Sequence, residues 1–236
     1  MKPILFSAPM VQAILGDMKD MTRRVITNVD FQLWINAGFT DKFIKAPENG
    51  LLEKAPIKAG DVLWVRETWR VGAWDAKQNA ICVDYAADGY ADPEWKRLLK
   101  IGYYDRLSRQ SSEDAYAAGI IADENGQYHW ERGEGPTRWR PSIFMPKEVA
   151  RIYLRITDVR AERLRDITEE DAIREGVMGW IDKLIGGMTG KTRFQRLWDK
   201  LNAARGYGWE ENPWVWVYTF ERITKEQAEA EDLANE

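Results

Sequence analysis

The sequence predicts an α+β protein, and three observations carry that prediction. Strand-like alternation recurs, most clearly in "RIYLRITDV", where Ile152, Leu154 and Ile156 fall on one face. Helical spacing recurs too, most clearly in "TRFQRLWDKLNAARG" (192–206), where Phe194, Leu197, Trp198 and Leu201 share a face and Gly206 ends the run. The 236 residues are 44% hydrophobic, enough to bury a sizeable core.

Along the chain, "PILFS" (3–7) is a short strand. Ser7 then caps a helix with Pro9 in its first turn and Met10, Val11, Ile14 and Leu15 on one face. Gly16 stops that helix, and "TRRVIT" (22–27) resumes as a strand. Thr22, Arg24 and Ile26 then share a face, with Lys19 in the turn above them. Residues 28–57 read as irregular. "KAGDVLWVRETWR" (58–70) follows as a Gly-Asp turn opening one long strand, with Leu63, Val65, Glu67 and Trp69 on one face and Trp64, Arg66, Thr68 and Arg70 on the other. Glu67 is thus a carboxylate on an apolar face, which is costly unless it meets an arginine or lines a pocket.

From about 73 to 137 the character changes. "NAICVDYA" is strand-like, "DPEWKRLLK" helix-like, and "RQSSEDAYAAG" and "DENGQYHWERGEGPTR" are polar and glycine-bearing. The stretch reads as an insertion with less core, placed to shape a substrate mouth. Order returns with the strand at 152–156 and with "ITEEDAIREGV" (167–177), a helix begun at Thr168 with Asp171 in the capping-box position. "PWVWVYTFERI" (213–223) is a last strand, with Trp214, Trp216, Tyr218 and Phe220 on one side. "TKEQAEAEDLANE" is an acidic tail, frayed or helical on its own. The organisation expected is a single domain over 1–224, carrying the 73–137 insertion, and a tail over 225–236.

Composition excludes several function classes. One cysteine, Cys82, and one histidine, His129, leave no disulfide framework and no Cys/His zinc site, so neither metal nor cofactor is expected. No apolar run approaches the roughly 20 residues of a membrane span, and a cytoplasmic protein is expected. The net charge of -4 confines any nucleic-acid contact to a local patch. The 12 tryptophans serve packing first and base stacking second. "GGMTGKT" (186–192) resembles a phosphate loop but fails in detail, because Ile185 stands where the first glycine belongs. His129 lies in a polar stretch and reads as a surface residue, not a triad member.

What remains is "GDMKDMTRR" (16–24), whose Gly16, Lys19, Thr22 and Arg24 reproduce a G-x-K-x-x-T-x-R signature. The pattern resembles that of ASCH domains, relatives of the PUA RNA-binding fold, and within them the larger, tryptophan-rich members of phage and prophage genomes. Gly60-Asp61 before a hydrophobic strand, the "ITEEDAIREGV" helix and the aromatic last strand extend the resemblance over 1–27, 58–70 and about 138–223. The resemblance implies a PUA-like mixed β-barrel with flanking helices. One enzymatic branch, the bacterial N4-acetylcytidine amidohydrolase, uses a lysine, a threonine and a glutamate. These correspond to Lys19, Thr22 and Glu175, with Glu169, Glu170 and Glu67 as alternatives for the glutamate.

The chemistry is consistent with those residue types. Amide hydrolysis needs a nucleophile, a base and a donor for the leaving amine, roles open to Thr22, Lys19 and Glu175 respectively. Arg24 would hold an acyl oxygen or phosphate, Trp64 or Trp69 would stack on a base, and Glu67 and Arg66 would line the same cleft. The expected partner is a modified nucleoside or single-stranded RNA. A different class of function is a non-catalytic RNA-binding module with Arg66, Arg70, Arg138 and Arg140 on phosphates. Ribonuclease activity is a third, resting on the resemblance alone.

Overall fold

A computed structural model describes residues 1–46, 49–177 and 187–234. The chain is α+β, and its contacts divide it into two compact units where sequence reading expects one domain with an insertion. The first unit comprises Met1–Lys2, Ala13–Leu63 and Tyr153–Glu236; the second comprises Pro3–Gln12 and Trp64–Ile152.

The first unit is built on antiparallel strands β2 (Met21–Val25), β7 (Tyr153–Arg163) and β8 (Trp214–Ile223), in the order β7-β8-β2. The start of β3 (Val62–Arg66) follows on beside β7, where the Gly60 amide donates to the Ile156 carbonyl (2.8 Å). Among the described residues the strands form open sheets, not a closed barrel. A bulge between Ile156 and Asp158 changes the phase of β7, so that Val159 and Ala161 lie opposite Tyr218 and Trp216, while Arg160 and Glu162 lie opposite Val217 and Val215. One sheet face therefore carries Thr22, Arg24, Trp216 and Tyr218, and the other carries Met21, Arg23, Val215 and Val217.

Helices α5 (Glu169–Arg174) and α6 (Gly190–Asn202) cover the second of these faces, burying Met21, Val215 and Val217 against Leu164, Ala172, Phe194 and Trp198. Leu201, expected on the buried face of α6, is exposed. The segment 28–57, read as irregular, holds α2 (Val29–Asn36) and α3 (Asp41–Lys45), whose starts are capped by the Asn28 and Thr40 side chains. The acidic end of the chain is helix α7 (Lys225–Ala234), which buries Ala228 and docks through an ion pair of Arg155 with Glu231, so it is not an independent tail. Residues 235–236 of that stretch lie outside the described residues.

In the second unit, β4 (Trp69–Asp75), β5 (Ala80–Tyr85) and β6 (Ala91–Arg97) form an antiparallel sheet in that order, with β1 (Lys2–Leu5) beside the end of β3. The single strand expected over 58–70 is thus two strands. It breaks at Glu67, whose carboxylate takes both Nε and Nη2 of Arg151 (2.8 and 2.9 Å), while Trp69 begins a new ladder opposite Tyr85. "DPEWKRLLK", read as helical, supplies β6 instead, because pairing with β5 overrides its helical propensity. "RQSSEDAYAAG", read as polar loop, lies in α4 (Tyr103–Ala117), whose buried Tyr104, Leu107, Ser111 and Ala115 recur at helical spacing. The stretch 73–137 thus brings its own sheet and helix.

Candidate functional site

The turn between helix α1 (Ala8–Leu15) and β2 is closed by backbone, not by its basic residues. The Met18 and Lys19 amides donate to the Ala13 carbonyl (2.8 and 3.1 Å), and the left-handed position is Asp17 (φ 54°), not Gly16. This frees Lys19 to run beneath the end of α5. Thr168 caps the start of α5 by accepting from the Asp171 amide, and Gly176 (φ 78°) ends it in the left-handed region. Asp171 occupies the capping-box position but spends its carboxylate on arginines.

Lys19 and Glu175, 156 residues apart in sequence, meet here. Lys19 Nζ donates to Glu175 Oε2 (2.8 Å), to the Glu175 carbonyl (2.8 Å) and to the Met21 carbonyl (2.6 Å). The ammonium thus satisfies an orphan helix C-terminal carbonyl and opposes the negative end of the helix at once. Glu175 Oε1 accepts from Arg23 Nη1 (3.2 Å), and Arg23 Nη2 donates to Glu162 and Asp171 (2.6 Å each). Arg160 joins the same two carboxylates through Nε to Glu162 (3.1 Å) and Nη2 to Asp171 (2.6 Å). Lys19, Arg23 and Glu175 are all buried. Asp20 brackets the turn from outside through Arg174 (2.9 Å).

Burial holds the Lys19 ammonium below the ordinary lysine range; Glu175 opposes that shift, and the charges of Arg24 and Arg23 add to it. The contacts themselves are those of the protonated form, with three N–H groups on three oxygens. The resting state is therefore an ion pair that burial and two guanidinium groups make easier to neutralise. Thr22 is 3% exposed and sits on the opposite sheet face from Arg23, beside Arg24 and across from Tyr218. Burial pushes the Tyr218 phenol up and Arg24 opposes that shift, and its hydroxyl has no hydrogen-bond partner among the described residues.

The approach of α5 to the turn depends on Gly176. A Cβ there would stand 2.8 Å from Ala13 Cβ and 2.9 Å from Lys19 Cβ, besides straining a positive φ. Gly176→Ala should therefore cost about 2–4 kcal/mol, combining overpacking and backbone strain. Chemical denaturation measures it, and an unchanged midpoint would show that the turn and helix yield freely.

Other candidates fare differently. Trp64, Arg66, Glu67 and Trp69 belong to the second unit and are engaged there. Trp69 is 0% exposed and Trp64 is buried with Arg66 over its ring at 4.7 Å, so neither indole presents a face to a base. Glu67 is buried; burial raises its carboxyl and Arg151 opposes the rise. Of the arginines considered for phosphates, Arg70 Nε is held by Asp84 (2.9 Å), Arg138 Nε by Asp114 (2.8 Å) and Arg140 Nη1 by Gln110 (2.8 Å). Glu169 accepts from the Gly190 and Lys191 amides at the start of α6, and Lys191 Nζ donates to the Arg165 carbonyl, so a side chain occupies the place a phosphate would take. Ile185 and Gly186 lie outside the described residues.

Glu162 and Arg160, missed by sequence reading, and Asp171, read there only as a capping-box residue, complete the charged cluster. Among the described residues no group of three or more His, Cys, Asp or Glu is arranged to hold a metal ion, and no helix is long and apolar enough to cross a membrane. No family model, curated protein or solved structure matches the chain.

Proposed function

We propose that the chain is a cytoplasmic amidohydrolase with a PUA-like fold that removes the N4-acyl group of acylated cytidine, as nucleoside or within RNA, using Thr22 on β2, Lys19 in the turn before it and Glu175 at the end of α5. The observation supporting it is the 2.8 Å contact of Lys19 with Glu175, in a buried setting that favours a neutral amine. The ion pair and its neutral form differ only by one proton moved across that contact. In the neutral form the Lys19 amine takes the Thr22 Oγ1 proton as this oxygen attacks the acyl carbon. The C–N4 bond breaks, N4 takes the proton of the Glu175 carboxyl, and cytidine leaves an acyl ester on Thr22. Water then adds to the ester and gives its proton to Glu175. The Thr22 oxygen recovers a proton from the Lys19 ammonium as the acid departs, which restores the starting pair.

Arg24 and Tyr218 share a sheet face with Thr22, and both carry N–H or O–H donors suited to the oxygen that gains charge. The reading is tested by incubating the protein with N4-acetylcytidine, with cytidine and acetate expected in equal amounts. No release at micromolar enzyme over hours would sink it. Salt-sensitive RNA binding without release would move the chain to the class of binding modules.

A further inference from the structure

The second unit holds a cavity of about 820 Å³ on one face of the β4–β5–β6 sheet, within the size range of small-molecule sites. Its floor follows from alternation along β5. Ile81, Val83 and Tyr85 are fully buried on the core face, so Cys82 and Asp84 face the other way, into the cavity. The segment 125–133 closes over them. There Tyr128 and Trp130 pack against Trp74 with ring centroids 5.5 and 5.6 Å apart, and the Trp130 indole N–H donates to the Gly72 carbonyl (2.9 Å), so the wall is held in place. Trp95 from β6 completes an aromatic lining, and it is 45% exposed.

The lining carries three carboxylates, Asp75, Asp84 and Asp92, beside the donor-bearing side chains of Lys77, Gln127 and Arg132. Asp84 and Asp92 are both nearly buried. Asp84 Oδ2 is matched by Arg70 Nε (2.9 Å), and Asp92 by Lys96 Nζ (3.2 Å) and the Glu94 amide (2.9 Å). Each carboxylate has more lone-pair positions than these contacts use. Arg132, the guanidinium at the rim, already donates to the Ala91 carbonyl (3.0 Å). Ion-paired carboxylates with spare lone pairs beside indole faces suit a flat ring with N–H donors.

We propose that this cavity binds a flat heteroaromatic molecule bearing amino groups, the chemical class of a nucleobase presented as a nucleoside. The site is separate from the Lys19 cluster and does not depend on its chemistry. The test is calorimetric titration of adenosine, guanosine, cytidine, uridine and, as a non-aromatic cation, choline into the whole chain and into Trp95→Ala, Trp95→Phe and Thr22→Val. Adenosine or guanosine, which are not products of the reaction proposed at Thr22, should bind with 1:1 stoichiometry and more tightly than uridine. Trp95→Ala should weaken it roughly 5- to 100-fold with an unchanged melting temperature, since the side chain is half exposed, and Trp95→Phe should recover part of the loss. Thr22→Val should leave it unaltered. Absence of nucleoside binding, choline binding more tightly than every nucleoside, equal affinity in Trp95→Ala, or loss in Thr22→Val would each overturn the proposal.

Discussion

Glu175→Gln should destabilise the chain by about 3–5 kcal/mol at neutral pH, the range for removing one partner of a buried ion pair. Two cations, Lys19 and Arg23, place N–H donors on its two carboxylate oxygens. A glutamine offers one oxygen, and its NH2 must face one of those cations whichever way the amide turns. At about 2–4 °C per kcal/mol for a chain of this size, the melting temperature should fall by roughly 10 °C. The loss should also depend on pH. Glu175 is the main group holding the Lys19 proton against burial, so its removal lowers the Lys19 pKa further below the unfolded value. Across the window between those two values the unfolded chain binds more protons than the folded one, so stability rises with pH. The deficit relative to the parent should therefore shrink between pH 7 and pH 9, as Lys19 sheds its charge. Thermal melts at both pH values measure this. A variant that melts with the parent would mean the pair is solvated, and a deficit constant with pH would mean Lys19 is not the group left uncompensated.

The local signals around this cluster were legible where a single element carries them. Thr168 as a cap and the alternation of β2 depend on neighbours a few residues away, and the structure contains both, whereas Gly206, expected to end α6, closes the 3-10 turn Ala203–Arg205 that follows it. The meeting of Lys19 with Glu175 was legible through a resemblance in motif, since no periodicity links residues 156 positions apart. The charged partners were not. Glu162 reaches Arg23, and Arg160 shares its carboxylates, only because the bulge between Ile156 and Asp158 shifts the phase of β7. Unbroken alternation would have set them on the face of Leu154 and Ile156.

Glu67 shows the opposite failure. Its burial and its need for an arginine followed from its apolar neighbours, yet the strand around it was drawn too long. Nothing local announces that Trp69 joins a different sheet from Val65. In the 73–137 stretch the helical spacing of Tyr104, Leu107, Ser111 and Ala115 was present but masked by polar neighbours. Tertiary pairing with β5, not propensity, decided β6.

Thr22 gives the sharpest test of the chemistry, because its role separates from its packing. Thr22→Val keeps the branched shape at a position 3% exposed and removes only the hydroxyl, so the fold should persist while deacylation of N4-acetylcytidine falls by about 10³-fold or more. Thr22→Ser keeps the hydroxyl and should retain part of the rate. Lys19→Arg keeps the positive charge beside Glu175 but cannot give up its proton at working pH, so it should be inactive as well. In the parent the reactive form holds the same single proton as the ion pair, so the rate should be level while the pair keeps that proton and fall as it is lost, and the fall should begin below the ordinary lysine range because burial and the two arginines lower the Lys19 pKa. Mass spectrometry of the quenched reaction should find the acyl group on the peptide carrying Thr22 and not in Thr22→Val. If Thr22→Val turns over at the parental rate, the nucleophile is wrong. The buried Lys19, Arg23 and Glu175 would then be a structural clasp that ties the turn after α1 to the end of α5 through the contacts Lys19 and Arg23 make with Glu175.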